Sequence, residues 1–308
     1  MDAETHRSTE PAHQAGGAAR LGPGAMLDRM RALSMAETGR STAEKAAIRA
    51  IEWLTGKALL LIRLFRNRHK VKPDERPVWT TVLDILNITI ATPAAETGRI
   101  PRTGPLVILA NHPMGFVDGL AVLQIVGDLR PDLKILTRDV FARIPELSAI
   151  TLGVAFPGTA DAVERRDCLR QAVSEHLNGG GALVIFPAGK IAAPQRLLGK
   201  AIEPPWHAFT AQTILRSRAR VVPVFIPGQP GALFRLAQSL SRTLRQGLLM
   251  REVRRAAGSS LAVQIGPVLD RDQIEPWGDR PREFAIHLRD LTLSLDPDLP
   301  TARSPVAG

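Results

Sequence analysis

Asn111-His112-Pro113-Met114-Gly115-Phe116-Val117-Asp118 is the stretch whose reading decides the fold. Before it, Pro105 leads into Leu106-Val107-Ile108-Leu109-Ala110, an apolar run that reads as a buried strand, and Gly119 to Leu129 after it reads as a helix. The turn therefore sits at a strand's carboxyl end. Pro113 keeps His112 out of the helical region, and Asp118 has the residue type and place of a helix N-cap. An imidazole and a carboxylate are thereby held in one short turn, and two readings of them stay open. In the first, His112 takes a proton from a hydroxyl and returns it to a leaving group, while Asp118 fixes the tautomer. In the second, Asp118 only caps the helix and His112 is a turn residue satisfied by backbone.

Downstream the alternation repeats. Apolar runs at Leu133 to Thr137, Leu152 to Phe156, Ala182 to Phe186, Val221 to Ile226 and Leu261 to Ile265 are separated by helical stretches. The clearest helices are Asp161 to Leu177, closed by Gly179-Gly180-Gly181, and Trp206 to Arg218. This order predicts an α/β fold, a mixed, mostly parallel central sheet covered by helices. Such sheets bind ligands beyond the carboxyl ends of strands, where three turns fall: His112 to Asp118, Phe156-Pro157-Gly158, and Phe186-Pro187-Ala188-Gly189-Lys190. The third either cradles a phosphate or oxyanion with its backbone N–H groups or simply ends a strand. Lys190 adds a positive charge at its rim. Arg165-Arg166, in the preceding helix, either meet an anionic headgroup or form a solvated basic face. Asn111, Gly115, Gly158, Arg166, Phe186, Pro187, Gly189 and Lys190 are thus the candidate substrate contacts around His112 and Asp118.

Upstream, residues 1–40 have the composition of a tail, with Gly16-Gly17 and Gly22-Pro23-Gly24 as breakers. Residues 41–78 form a basic amphipathic segment. It opens on Ser41-Thr42-Ala43-Glu44, which fits a capping box, and continues with Ile48, Ile51, Trp53, Leu54 and Leu59 to Phe65 at helical spacing. Interleaved Arg and Lys suit a helix on an anionic bilayer and equally a helix packed on the domain with a solvated face. Thr80 to Ala91 reads as a strand, within an α/β domain spanning 79–296, and a short Pro-containing tail covers 297–308.

The formal charge of +10 and pI near 10.8 call for an acidic partner: a membrane surface, an acidic carrier protein, a phosphorylated substrate or nucleic acid. Nucleic acid is the poorest fit, because tyrosine is absent, aromatics are only 4% and no recognition motif occurs. A single cysteine excludes a disulfide framework and reads, at Cys168, as a small core residue. We expect no secretion signal and no membrane-spanning helix, since the longest apolar run, Ala58 to Ile62, is cut by Arg63. No HExxH, GxSxG, Walker or GxGxxG pattern is present, and only His112 has a suggestive setting.

Asn111-His112-Pro-Met-Gly-Phe-Val-Asp118-Gly119, then Phe186-Pro-Ala-Gly189, then Val221 to Ile226 resemble, in order and spacing, the blocks of the glycerolipid acyltransferase family. That family includes the 1-acylglycerol-3-phosphate acyltransferases. Five residues between His112 and Asp118 look closer to the bacterial branch of lyso-ornithine lipid acyltransferases and haemolysin-like proteins, as do Trp206, Ala232-Leu-Phe-Arg235 and Leu244 to Glu252. The resemblance covers roughly residues 80 to 270.

It implies transfer of a fatty acyl group from acyl-CoA or acyl carrier protein (acyl-ACP) to a lysolipid hydroxyl, with His112 as general base and Asp118 orienting it. Phe186, Pro187 and Gly189 would shape the acceptor site. No metal or bound cofactor is implied, and the setting would be peripheral, on the cytoplasmic face of the inner membrane. The implied fold is glycerol-3-phosphate acyltransferase-like with a helical N-terminal extension. One departure stands out: where the third block carries a glutamate, this chain has Ala188 or Lys190, and Glu203 is the candidate substitute. A catalytically altered, lipid-binding member of the family is the alternative.

Overall fold

Every residue of Leu106–Ala110 is buried, and its side chains alternate between two cores: Leu106, Ile108 and Ala110 join one, Val107 and Leu109 the other. A strand covered on both faces has no solvent side to spend polar residues on, which is why this run is continuously apolar. The computed structural model describes residues 34–67, 76–142, 145–154, 162–196 and 199–299. Its strands, in chain order, are β1 (Thr89–Ala91), β2 (Leu106–Ala110), β3 (Leu133–Arg138), β4 (Thr151–Val154), β5 (Ala182–Ile185), β6 (Ala193–Pro194), β7 (Ala201–Ile202), β8 (Arg220–Phe225), β9 (Ser260–Ala262) and β10 (Gln264–Ile265).

The central sheet runs β10-β8-β2-β5-β3-β4, parallel throughout except where β10 meets β8. Helices cover both faces, as expected for a mixed, mostly parallel α/β sheet. Phe116–Val126 lies on one face with Ile48, Leu60, Leu83 and Leu86 from the N-terminal elements. Ala162–Asn178, Ala208–Arg216 and Pro281–Leu293 cover the other through Leu177, Ile214 and Phe284. Because β2 and β5 are neighbours, the turns that follow them emerge side by side.

Four expectations are corrected. Thr80 to Ala91 is mostly the helix Val78–Leu86, terminated by left-handed Asn87 (φ 55°), and only Thr89–Ala91 is a strand. Residues 1–40 are not tail throughout: Ser34 caps a 3-10 turn, Met35–Thr38, whose Met35 and Ala36 are buried in the core. Leu261 to Ile265 is not one strand but two, β9 pairing with β1 and β10 with β8. Cys168 is exposed on the helix Ala162–Asn178.

The N-terminal segment packs on the domain while leaving one face open. Ile48, Leu60, Leu61 and Leu64 are buried, whereas Trp53, Leu54, Leu59 and Ile62 are exposed. Contact is close at Gly56, where a Cβ would lie 2.6 Å from the Met250 carbonyl carbon and the Arg251 nitrogen. Ser41 does cap Thr42–Glu52, accepting from the Glu44 N–H at 3.1 Å. No helix among the described residues is long and apolar enough to cross a membrane.

Candidate active site

Where β2 ends, Asn111 continues its pairing with a side chain. Its Nδ2 donates to the Ile226 carbonyl at 2.9 Å and its Oδ1 accepts from the Ile226 N–H at 2.7 Å, fastening the loop to the end of β8. The backbone then turns under three further constraints. His112 donates its N–H to Glu203 Oε2 at 3.0 Å, and its carbonyl accepts from the Ala192 N–H at 2.8 Å. Met114 and Gly115 both donate backbone N–H groups to Asp118 Oδ2, at 2.8 Å each. Gly115 has φ 88°, and a Cβ there would lie 2.7 Å from Ile191 Cδ1, so both conformation and space select glycine. Gly115, not Asp118, is the N-cap of Phe116–Val126; Asp118 stands in the first turn and reaches back over the loop. The aspartate thus fixes backbone as well as imidazole.

His112 Nδ1 lies 2.9 Å from Asp118 Oδ2, with the carboxylate fully buried and the imidazole largely so. The distance is that of a hydrogen bond but the alignment is not, and Oδ2 takes the two backbone N–H groups instead. Nδ1 and Asp118 Oδ1 have no hydrogen-bonding partner among the described residues, so the contact is electrostatic and Oδ1 is the acceptor still open. The ring also packs on Phe186, centroids 4.4 Å apart. With Nδ1 turned toward Asp118, Nε2 is the nitrogen left to a reactant.

The turn after β5 lies beside this loop. Gly189 (φ 62°) donates its N–H to the Phe186 carbonyl at 3.0 Å, which withdraws that amide from any oxyanion cradle. The Pro187 carbonyl accepts from the His207 N–H at 3.1 Å, and Ala188 is buried. Glu203 is 7% exposed, and its Oε1 accepts from Trp206 Nε1 at 3.0 Å. Burial pushes its carboxyl above the usual glutamate value, against the opposing pull of hydrogen bonds from the His112 N–H and the Trp206 indole. Arg289, on Pro281–Leu293, donates to the carbonyls of Glu203 and Pro204 at 2.6 and 3.2 Å and pins this segment.

Both turns open onto a cavity of about 530 Å³. His112, Gly115, Phe186, Gly189 and Lys190 line it together; its depth is apolar, formed by Leu120, Leu123, Ile135 and Phe141 among others. Of the remaining sequence candidates, Asn111 and Pro187 lie behind the lining as supports, Arg166 is exposed on its helix away from the lining, and Gly158 lies outside the described residues. Gln238, Arg245 and His207 also line the cavity; Arg245 stood in the sequence only within the block Leu244 to Glu252, and nothing local marked Gln238 or His207. No cluster of three or more metal-ligating side chains occurs among the described residues. The arrangement suits proton transfer at the mouth of an apolar chain-sized pocket.

A protein-family model described as an acyltransferase matches residues 62–253. No curated protein matches the sequence. Among solved structures, the chain is similar to the 1-acyl-sn-glycerophosphate (LPA) acyltransferase PlsC from Thermotoga maritima, at 12% identity and a TM-score of 0.48, covering 87% of this chain and 94% of that one.

Proposed function

The chain belongs to the acyltransferase family, and on that premise we propose that it moves a fatty acyl group from acyl-CoA or acyl-ACP to the hydroxyl of a lysolipid, of lysophosphatidic acid or lyso-ornithine-lipid type. The observation that carries this reading is His112 set between a buried carboxylate and an apolar cavity. His112 Nε2 takes the proton of the acceptor hydroxyl as its oxygen attacks the thioester carbonyl. The C–S bond breaks, the leaving thiolate takes the proton back from the imidazolium, and the base returns to its neutral form. Asp118 stabilises the imidazolium in between.

His112→Ala should lower turnover of lysophosphatidic acid with acyl-CoA by about 10²- to 10⁴-fold, with an unchanged circular dichroism spectrum. Activity within a few-fold of wild type would remove His112 from the mechanism. We further place the protein peripherally on anionic lipid at the cytoplasmic face of the inner membrane. This is supported by the net charge of +10 and by exposed apolar residues beside arginines in the N-terminal segment. A second reading, lipid binding without turnover, is favoured by Ala188 and Lys190 in the third block. It predicts vesicle binding by a wild-type protein inert toward every lysolipid and thioester offered.

A further inference from the structure

Arg245, on the helix Arg242–Gly247, lines the cavity without an acidic partner among the described residues. Burial, and then the neighbouring Arg242, pull its guanidinium below its ordinary value, while Arg242 itself donates to the Thr38 carbonyl at 2.7 Å. A guanidinium does not shed its proton in a protein, so the cavity wall holds a cation with no counter-charge among the described residues. A second polar group lining the same cavity is also unmet. Gln238, on Ala232–Leu240, donates Nε2 to the Ala192 carbonyl at 3.1 Å, and its buried Oε1 accepts nothing among the described residues.

Gln238 is tied to the loop that carries His112, and Arg245 lines the same cavity. Ala192, which holds Gln238, donates its own N–H to the His112 carbonyl at 2.8 Å. Leu249, just beyond the helix of Arg245, approaches within 3.8 Å of a Cβ placed on Gly115. Exposed Lys190 lines the same cavity and adds a further positive charge. An apolar pocket whose lining holds a cation, an open acceptor and the His112 imidazole is complementary to an amphiphile that carries an anionic group besides its reactive hydroxyl or thioester.

We propose that Arg245 and Gln238 form a subsite for a phosphate or carboxylate of the substrate, Arg245 pairing with the anion and Gln238 Oε1 accepting from an adjacent hydroxyl or amide N–H. The inference rests on the acyltransferase reading for its purpose but not for its test. The anion belongs either to the lysolipid headgroup or to the phosphate of the acyl donor, and the two sources are separable.

Binding of dodecyl phosphate and of uncharged dodecanol to the full chain, followed by thermal shift, tests the subsite without turnover. Wild type should prefer the phosphate by about ten- to a hundredfold, the size of a charge-assisted pair. Arg245→Gln should abolish that preference, and Arg282→Gln, exposed on the helix Pro281–Leu293, should keep it. An undiminished preference in Arg245→Gln overturns the subsite. Should that variant not fold, Arg245→Lys retains charge but not the fork: an intermediate preference supports the proposal and an unaltered one overturns it. In turnover, a raised KM for lysophosphatidic acid alone assigns the anion to the headgroup, and a raised KM for acyl-CoA alone assigns it to the donor. A rise in neither overturns the proposal. If no acyl transfer is found at all, the binding arm still stands, and only the functional reading falls.

Discussion

Glu203 touches His112 through backbone, so its effect on the reaction is one of placement. Without it the N–H of His112 would be stranded in a buried loop, and displacement of a base by about 1 Å costs on the order of a hundredfold in rate. Glu203→Ala should therefore lower kcat by about that factor with KM little changed, and kcat within threefold of wild type would dismiss the role. Its ionisation gives a separate signature. Burial raises the folded-state carboxyl above the ordinary glutamate value of about 4.3, so Glu203 stabilises the fold most when protonated. That contribution is complete below the ordinary value and is lost as pH rises through the raised one. Glu203→Gln does not titrate, so its Tm deficit against wild type should be largest near pH 4 and shrink toward pH 7; a pH-independent deficit would contradict the shift. His112 and Asp118 were legible from their spacing in one turn. Glu203 stood out in the sequence only as a carboxylate near the altered third block, because a hydrogen bond to a backbone N–H across 91 positions leaves no local pattern.

At the scale of an element, the loop before Phe116–Val126 depends on one glycine. Alanine at 115 would have to occupy φ 88° and displace Ile191, at about 1–2 kcal/mol for the backbone alone. Gly115→Ala should lower unfolding free energy by that amount in denaturant titration, and turnover should fall more steeply because Met114 and Gly115 are the donors that hold Asp118. A stability change below about 0.3 kcal/mol would show that the loop relaxes freely. The strand-turn-helix unit itself was readable, since a run buried on both faces and the Pro113–Gly115 punctuation are local signals. Val78–Leu86 reads as a strand because Val, Thr and Ile suggest one by type and the buried Thr81, Leu83 and Ile85 fall at alternate positions; only the adjacent buried pair Ile85-Leu86 breaks that alternation. Asn87, which adopts the left-handed conformation, was the available stop signal. Asp118 resembled an N-cap for a similar reason: its carboxylate does accept helix-start N–H groups, but from the first turn.

For the molecule as a whole, the parallel sheet was legible and the pocket wall formed by Arg242–Gly247 was not. β2 finds β5 and β8 through contacts distant in sequence, and Arg245 becomes a pocket residue only once its helix closes over that sheet. The outer surface carries the remaining prediction. Leu54 is 85% exposed and Ile62 54%, on the segment that packs inward through Leu60 and Leu64, so they contribute little to the fold and much to any apolar docking face. Burying each in a bilayer interface is worth on the order of 1.5–3 kcal/mol at most. Leu54→Ser with Ile62→Ser should therefore weaken partitioning onto phosphatidylglycerol-containing vesicles by tenfold or more, in a sedimentation assay, with Tm held within a few degrees. Charge should act separately. Raising salt from 0.1 to 1 M shortens the screening length from about 10 to about 3 Å, which should release much of the wild-type protein through its basic surface. The double variant in high salt should bind least of all, since an apolar and an electrostatic contribution are lost together. Equal binding by wild type and double variant would move the membrane contact away from this face, and insensitivity to salt would leave the net charge of +10 without a part in it.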